Sequence, residues 1–327
     1  MEPQVTIVEI GPREGLQSHT KFIKTEDKVA LINRLFDAGF RKIEVTSFVH
    51  PKAIPQTKDA VEVLRGINKR SDHIYQVLVP NETGCRNAVA CNVDEIVVWI
   101  FLTDELNYIT QNRSRAEILK EIRAIIEIAE ANTIKVSAYI GGAFGYPGMD
   151  SHLYRDVKGL AAKLIQLGCY EVCLNDEFCI ANPNMIKKHL RIYLNEMECS
   201  ALAVHFHDNR GLGLMNALAA YQEGIRTFKS VIGGIGVHRN LQKIYRKSAI
   251  HERQSTNIPT ELLVYFFEEM GIRTGIDINK LIGCRFFAEE LLGMKFNINI
   301  FKNFISKEYS DLLIKRYEKA IFNKPKI

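Results

Sequence analysis

The sequence predicts an α/β protein, a (β/α)8 TIM barrel with a short C-terminal helical extension. Three observations carry that prediction. Apolar Val- and Ile-rich runs alternate with stretches of helical periodicity, eight such units occur, and charged residues gather where the runs end. Strict alternation of strand and helix implies a parallel sheet. Eight units over about 270 residues match the roughly 250 typical of a closed barrel. The alternative, an open doubly wound sheet, would offer a phosphate-binding turn after its first strand. Gly11-Pro12-Arg13-Glu14-Gly15 lacks the required G-x-G-x-x-G form.

In chain order, Thr6–Gly11 is the first run, followed by a helix that Thr25 can cap and that ends near Gly39. Lys42–Phe48 precedes a helix over Lys58–Ile67, and Tyr75–Pro80 precedes Thr83–Cys91. Glu95–Leu102 leads into the well-patterned Arg115–Ala131, and Lys135–Gly141 into Leu153–Leu167. Glu171–Leu174 precedes Asn184–Leu194, Ala201–His207 precedes Leu212–Glu223, and Thr227–Ile232 feeds Thr260–Met270. Residues 1–282 then form the barrel domain and 283–327 a helical extension packed on it. In that extension Phe304, Tyr309, Leu312, Tyr317 and Ile321 recur near helical spacing, with Ser306 as the N-cap.

Composition limits the function classes. The chain has 327 residues, 46% hydrophobic and 25% charged, with a net charge of +5, which gives no general case for nucleic acid. No apolar run approaches the roughly 20 residues of a membrane span. Met1-Glu2-Pro3-Gln4 lacks a basic region followed by an apolar core, so a cytoplasmic location is expected. Seven scattered cysteines without a C-x-x-C pair read as free, mostly buried thiols. The expected partner is a small molecule, and a homodimer is admitted.

On a barrel, chemistry gathers at the C-terminal ends of the strands. Those ends carry Arg13, Glu14 and Gln17, then Glu44, Thr46 and Ser47, then Asn175-Asp176-Glu177, and then His205, His207 and Asp208. Side chains two apart on a strand share a face, so His205 and His207 can meet one centre. With Glu14 from the first strand they make a partial octahedral site for a divalent ion. Mixed N and O donors without thiolate favour Mg²⁺ or Mn²⁺, with Co²⁺ or Zn²⁺ as alternatives. Such an ion could chelate a hydroxy or keto acid and polarise its oxygen. Arg13 would then stabilise a developing enolate, while Glu44 and Asp176 would orient it, move a proton or serve only as ion partners at the rim. Gln17 and Ser47 are candidate substrate contacts. The long connection Val237–Thr256 carries five Lys and Arg residues (239, 243, 246, 247 and 253) against the single acid Glu252. It reads either as a basic lid over an anionic substrate or as a solvated face.

The stretch Ile7-Val8-Glu9-Ile10-Gly11-Pro12-Arg13-Glu14-Gly15-Leu16-Gln17 resembles the opening signature of the 3-hydroxy-3-methylglutaryl-CoA lyase family, within the superfamily of metal-dependent TIM-barrel lyases and Claisen synthases. Glu44-Val45-Thr46-Ser47-Phe48-Val49, Leu167-Gly168-Cys169-Tyr170-Glu171, the H-x-H-D segment and Gly271-Ile272-Arg273-Thr274-Gly275 match as well. The resemblance runs from about residue 5 to 282 and implies metal ligands at Glu14, His205, His207 and Asn257, with functional carboxylates at Asp176 and Glu44. Three departures stand out. Glu14 replaces an aspartate, Asn175-Asp176-Glu177 replaces Gly-Asp-Thr, and His238 stands at the catalytic cysteine. His238 is the candidate proton donor in place of the thiol. The resemblance implies cleavage of a 3-hydroxy-acyl-CoA or related 3-hydroxy acid through an alkoxide and an enolate. The alternatives are a synthase condensing an acyl-CoA with a 2-keto acid, and a barrel that binds ligand without catalysis.

Overall fold

A computed structural model describes residues 2–146, 153–236 and 257–296. Eight parallel strands close into a barrel in sequence order. They are β1 (Thr6–Glu9), β2 (Lys42–Ser47), β3 (Ile74–Leu78), β4 (Glu95–Phe101), β5 (Lys135–Gly141), β6 (Glu171–Asp176), β7 (Leu202–Phe206) and β8 (Thr227–Ser230). β1 closes the ring by pairing with both β2 and β8. β2, β6 and β7 are buried along their whole length, because one face of each fills the barrel and the other lies under helices.

The shell contains α1 (Thr25–Asp37), α2 (Ala60–Gly66), α3 (Glu82–Ala90), α4 (Asp104–Gln111), α5 (Arg115–Glu130), α6 (Leu153–Leu167), α7 (Pro183–Leu194) and α8 (Gly213–Gln222). Thr260–Glu269 and Ile278–Leu292 complete the described helices. Ser114 and Glu117 form a capping box that starts α5, and Ile118, Ile122, Ile125 and Ile126 give it one buried face. None of the described helices is long and apolar enough to cross a membrane.

Three expectations change. Thr25 is the first residue of α1 and not its cap, because its hydroxyl donates to Asp59 Oδ2 at 2.8 Å. Between β4 and α5 the chain forms α4, which the periodicity did not announce. Thr103 caps it, and the buried Asn107 side chain ties it to the backbone of Phe101. The boundary at 282/283 falls inside the helix Ile278–Leu292, which packs on α1. Phe296 beyond it covers Gly233, where a Cβ would lie 2.1 Å from the ring. Residues 283–296 are thus built into the barrel wall. The expected helix near 304–321, the basic stretch 239–256 and His238 lie outside the described residues.

Inside the barrel, side chains stack in layers. At the N-terminal end Lys42 Nζ donates to Glu95 Oε1 at 2.9 Å and to the Tyr170 hydroxyl at 2.6 Å, and Lys229 Nζ stands 3.6 Å from Glu171 Oε1. Above this ionic layer Leu78, Val97, Tyr139, Cys173 and Ala203 form an apolar plug. The plug closes the floor of the cleft at the other end, so the barrel is a packed core and not a pore.

Glu9 anchors the turn that follows β1. Its Oε1 accepts from the amides of Gly11 (2.6 Å) and Ile232 (2.9 Å), and its Oε2 from the Thr260 hydroxyl (2.6 Å). Burial pushes its pKa from 4.5 up to about 8, against the lowering effect of these hydrogen bonds. The folded protein therefore keeps a proton that the unfolded chain releases near 4.5. The resulting stability is complete below that value and is lost as pH rises through about 8. Glu9→Gln supplies a neutral group of the same shape. Thermal unfolding followed across this window should show a shallower fall in midpoint with rising pH for Glu9→Gln than for the unaltered protein.

Candidate active site

Immediately after β1, Gly11–Gly15 winds into a single wide π-helical turn whose five residues are all buried. Gly11 is required there, because a Cβ would lie 2.5 Å from Glu9 Oε1 and 2.8 Å from the Ile232 side chain. This turn delivers Arg13 and Glu14 to the barrel mouth. Arg13 Nε donates to Glu44 Oε1, and its Nη1 to Glu14 Oε2. The other oxygen of Glu44 accepts the Tyr139 hydroxyl at 2.6 Å. The guanidinium lies 5.7 Å from the Trp99 ring and 5.8 Å from the Tyr139 ring. Burial opposes the charge on Arg13, but Glu44 and Glu14 outweigh it and raise the pKa above its ordinary value. Arg13 is a fixed, permanently charged donor.

A cleft beside it is lined by Ile10, Arg13, Glu14, Trp99, Asn175, Glu177, His205 and His207. The two imidazoles have ring centroids 5.1 Å apart at 83°. His205 Nδ1 lies 2.9 Å from the Lys229 carbonyl oxygen, which can only accept. The ring proton therefore sits on Nδ1 and leaves the Nε2 lone pair for the cleft. Burial lowers the pKa of His205 and, with the nearby His205 ring, depresses that of His207 well below its usual range. Both shifts favour the neutral ring, the form a metal ligand needs.

Asn257 pairs with His207 through an isolated antiparallel bridge. Its Nδ2 donates to the Ile235 carbonyl at 2.8 Å, which fixes the amide, while its Oδ1 is buried without a hydrogen-bond partner. A buried amide oxygen without a partner is costly unless something else takes its lone pair. Gly236, at φ +112°, lets the chain pass between the two loops. A Cβ there would stand 3.0 Å from Glu14 O and 3.2 Å from Asn257 Nδ2. Two imidazoles, an amide oxygen and a carboxylate thus come to one rim, a donor set suited to a divalent ion. Among the described residues no three His, Cys, Asp or Glu side chains form a cage on their own. Glu14 Oε2 is held instead by Arg13 and by Gln17 Nε2, the latter at 2.8 Å.

Two expected site residues stand elsewhere. The oxygens of Asp176 accept from the amides of Ile180 (2.9 Å) and Ala181 (3.1 Å), so this carboxylate holds the turn after β6. Burial raises its pKa well above the ordinary value despite those amides. Strand parity explains its position. Asn175 pairs with His205 and faces inward, whereas Asp176 pairs with Phe206 and faces the shell. Ser47 Oγ accepts from the Val49 amide at 3.0 Å and supports the turn after β2. The ionisable cleft residue that the candidate set lacks is Glu177. Its Oε2 accepts from the Gly142 amide at 2.7 Å, and burial pushes its pKa up to about 7 against that hydrogen bond. The inward parity of Cys173, Asn175 and Glu177 was the available signal.

Comparison with known proteins shows the family and the fold. The family model described as HMGL-like matches residues 4–286. The hydroxymethylglutaryl-CoA lyase YngG of Bacillus subtilis is 34% identical over 303 residues, covering 92% of this chain and 98% of that protein. The mouse mitochondrial hydroxymethylglutaryl-CoA lyase is 36% identical over 292 residues, covering 89% and 87%. Among solved structures, the B. subtilis HMG-CoA lyase superposes with a TM-score of 0.85 at 33% identity, covering 93% and 98% of the two chains. An Acinetobacter baumannii HMG-CoA lyase in complex with coenzyme A and 3-methylmalate does so with a TM-score of 0.84 at 33% identity, covering 93% and 96%.

If the Asn257 oxygen is a ligand, Asn257→Ala should weaken Mn²⁺ binding by about tenfold or more in calorimetric titration. Unchanged affinity in a folded variant would remove Asn257 from the set.

Proposed function

The chain belongs to the HMGL-like family, and on that premise we propose that it is a divalent-metal-dependent carbon–carbon lyase cleaving 3-hydroxy-3-methylglutaryl-CoA or a close 3-hydroxyacyl-CoA relative. The observation that supports this most strongly is Arg13, clamped by Glu44 and Tyr139, beside the cleft that collects Glu14, His205 and His207. Lyase relatives matched over about nine-tenths of the chain favour cleavage over the synthase alternative and over a barrel without catalysis.

Cleavage removes the proton of the 3-hydroxyl and breaks the C2–C3 bond. The electron pair is left as a thioester enolate, and a proton returns to C2. For 3-hydroxy-3-methylglutaryl-CoA the products are acetyl-CoA and a 3-keto acid. Glu14, His205, His207 and Asn257 would hold the ion, Mg²⁺ or Mn²⁺ by their donor chemistry, and the bound ion supplies Lewis-acid polarisation of the substrate's oxygens. Arg13 donates to the enolate oxygen as charge builds there. Glu44 positions Arg13, and Gln17 steadies Glu14. Glu177, with a pKa near neutrality, is suited to accept the hydroxyl proton. The sequence correspondence with the family's thiol supports His238 as the group that returns a proton to C2. Asp176 and Ser47 act on the loops that carry the cleft.

The test is acetyl-CoA release from 3-hydroxy-3-methylglutaryl-CoA by the purified protein. Activity should be abolished by a chelator and restored by Mg²⁺ or Mn²⁺. His238→Ala and Glu177→Gln should each lower kcat by about 10²-fold or more. No release with any divalent ion would overturn the lyase reading.

A further inference from the structure

A second cavity, about 310 Å³, adjoins Arg13 and Trp99, and both of these residues line it as well as the cleft. It leaves the barrel mouth beside Gln17 and runs outward between β3, β4 and α5. Val79, Val98, Phe101, Ile118, Ile122 and Ile125 form its walls. The space exists because the isoleucines on the inner face of α5 meet short β-branched valines on the strands. The Phe101 ring is meanwhile seated on Gly141, where a Cβ would lie 2.5 Å away. Its polar lining comprises Arg13 and Gln17, then His50, Asn81, Thr110 and Gln111, and the Arg113–Glu121 ion pair, 3.4 Å apart.

Where Val79 and Val98 face Ile118, Ile122 and Ile125, water is poorly served, since a buried molecule needs two to four polar partners. Hydrocarbon is well served. The volume is about twice that of the ~150 Å³ apolar cavity known to take up benzene. A ligand complementary to both spaces has a polar reacting head at the cleft and a hydrocarbon branch that passes Arg13 into the cavity. A methyl group would leave nearly all of this space empty.

We infer that the cavity is a subsite for the substituent on the hydroxyl-bearing carbon, and that the preferred substrate is a 3-hydroxyacyl-CoA whose C3 branch is a hydrocarbon chain longer than methyl. The inference rests on the lyase reading and deepens it. Each methylene that enters should raise kcat/KM by about fourfold, the equivalent of ~0.8 kcal/mol, until the cavity is full.

The experiment uses the metal-loaded full-length protein with 3-hydroxy-3-alkylglutaryl-CoA thioesters bearing methyl, propyl or hexyl branches. In parallel, calorimetry compares decanoyl-CoA, which cannot be cleaved, with acetyl-CoA. The expected results are a rise in kcat/KM from methyl to hexyl and at least tenfold tighter binding of decanoyl-CoA. Ile122→Phe and Val98→Leu fill the cavity from opposite walls, and either folded variant should lower the hexyl-to-methyl ratio at least tenfold. Cleavage of the methyl compound with no gain from longer branches, and no response to either variant, would overturn the inference while leaving the lyase reading intact. Absence of cleavage together with a decanoyl-CoA preference that Ile122→Phe abolishes would overturn the lyase reading and retain a hydrocarbon subsite.

Discussion

The ion pair between Arg13 and Glu44 is the constraint on which the rest of the site depends. Arg13 is buried at a barrel mouth where an unpaired charge would be strongly disfavoured. Glu44 answers that charge from the neighbouring strand and is itself held by Tyr139 from the far side of the barrel. Two aromatic rings flank the guanidinium and limit where it can move. The result is a donor fixed before substrate arrives, which is the condition for stabilising charge as it develops. The wide turn after β1, the glycine that permits it and the buried Glu9 behind it all serve to hold this residue in place.

The rim that carries the histidine pair obeys a different constraint, that of strand parity. His205 and His207 share the inward face with Ala203, two residues before, and Asn175 faces inward with its partner His205. Loop geometry brings in the remaining donors. Asn257 is carried to the rim by a backbone bridge to His207, and Gly236 admits the close passage of chain between Asn257 and Glu14. Neutral imidazoles and an amide oxygen with no hydrogen bond make a rim prepared for a cation, with Arg13 beside it prepared for an anion. The same arginine, with Trp99, lines both this cleft and the larger cavity.

Much of this was legible in the sequence. Alternating runs gave all eight strands, and β5 and α6 fall where the periodicity puts them. The histidine pair and the Arg-Glu pair announced the cleft. What escaped has physical causes. α4 is only eight residues long, and its buried Asn107 interrupts the apolar pattern while making the contacts that hold the helix. Ile278–Leu292 is covered on several sides, burying Arg285 and Glu289 as well as Leu281, so it lacks the one-sided pattern of a surface helix. The charge of Asp176 and its place in the family motif point to the cleft, whereas residue parity on β6 favours Asn175 and Glu177. The apolar cavity left no sequence signal, because isoleucines that line a space read the same as isoleucines that fill one.

The most direct measurement is the rate of 3-hydroxy-3-methylglutaryl-CoA cleavage by Arg13→Lys, with metal affinity measured on the same preparation. Lysine keeps the charge but loses the planar fork that Glu44 holds and that faces the enolate oxygen. The account predicts a loss of about 10²-fold or more in kcat with metal affinity little changed. A variant that cleaves within a few-fold of the unaltered protein would contradict it.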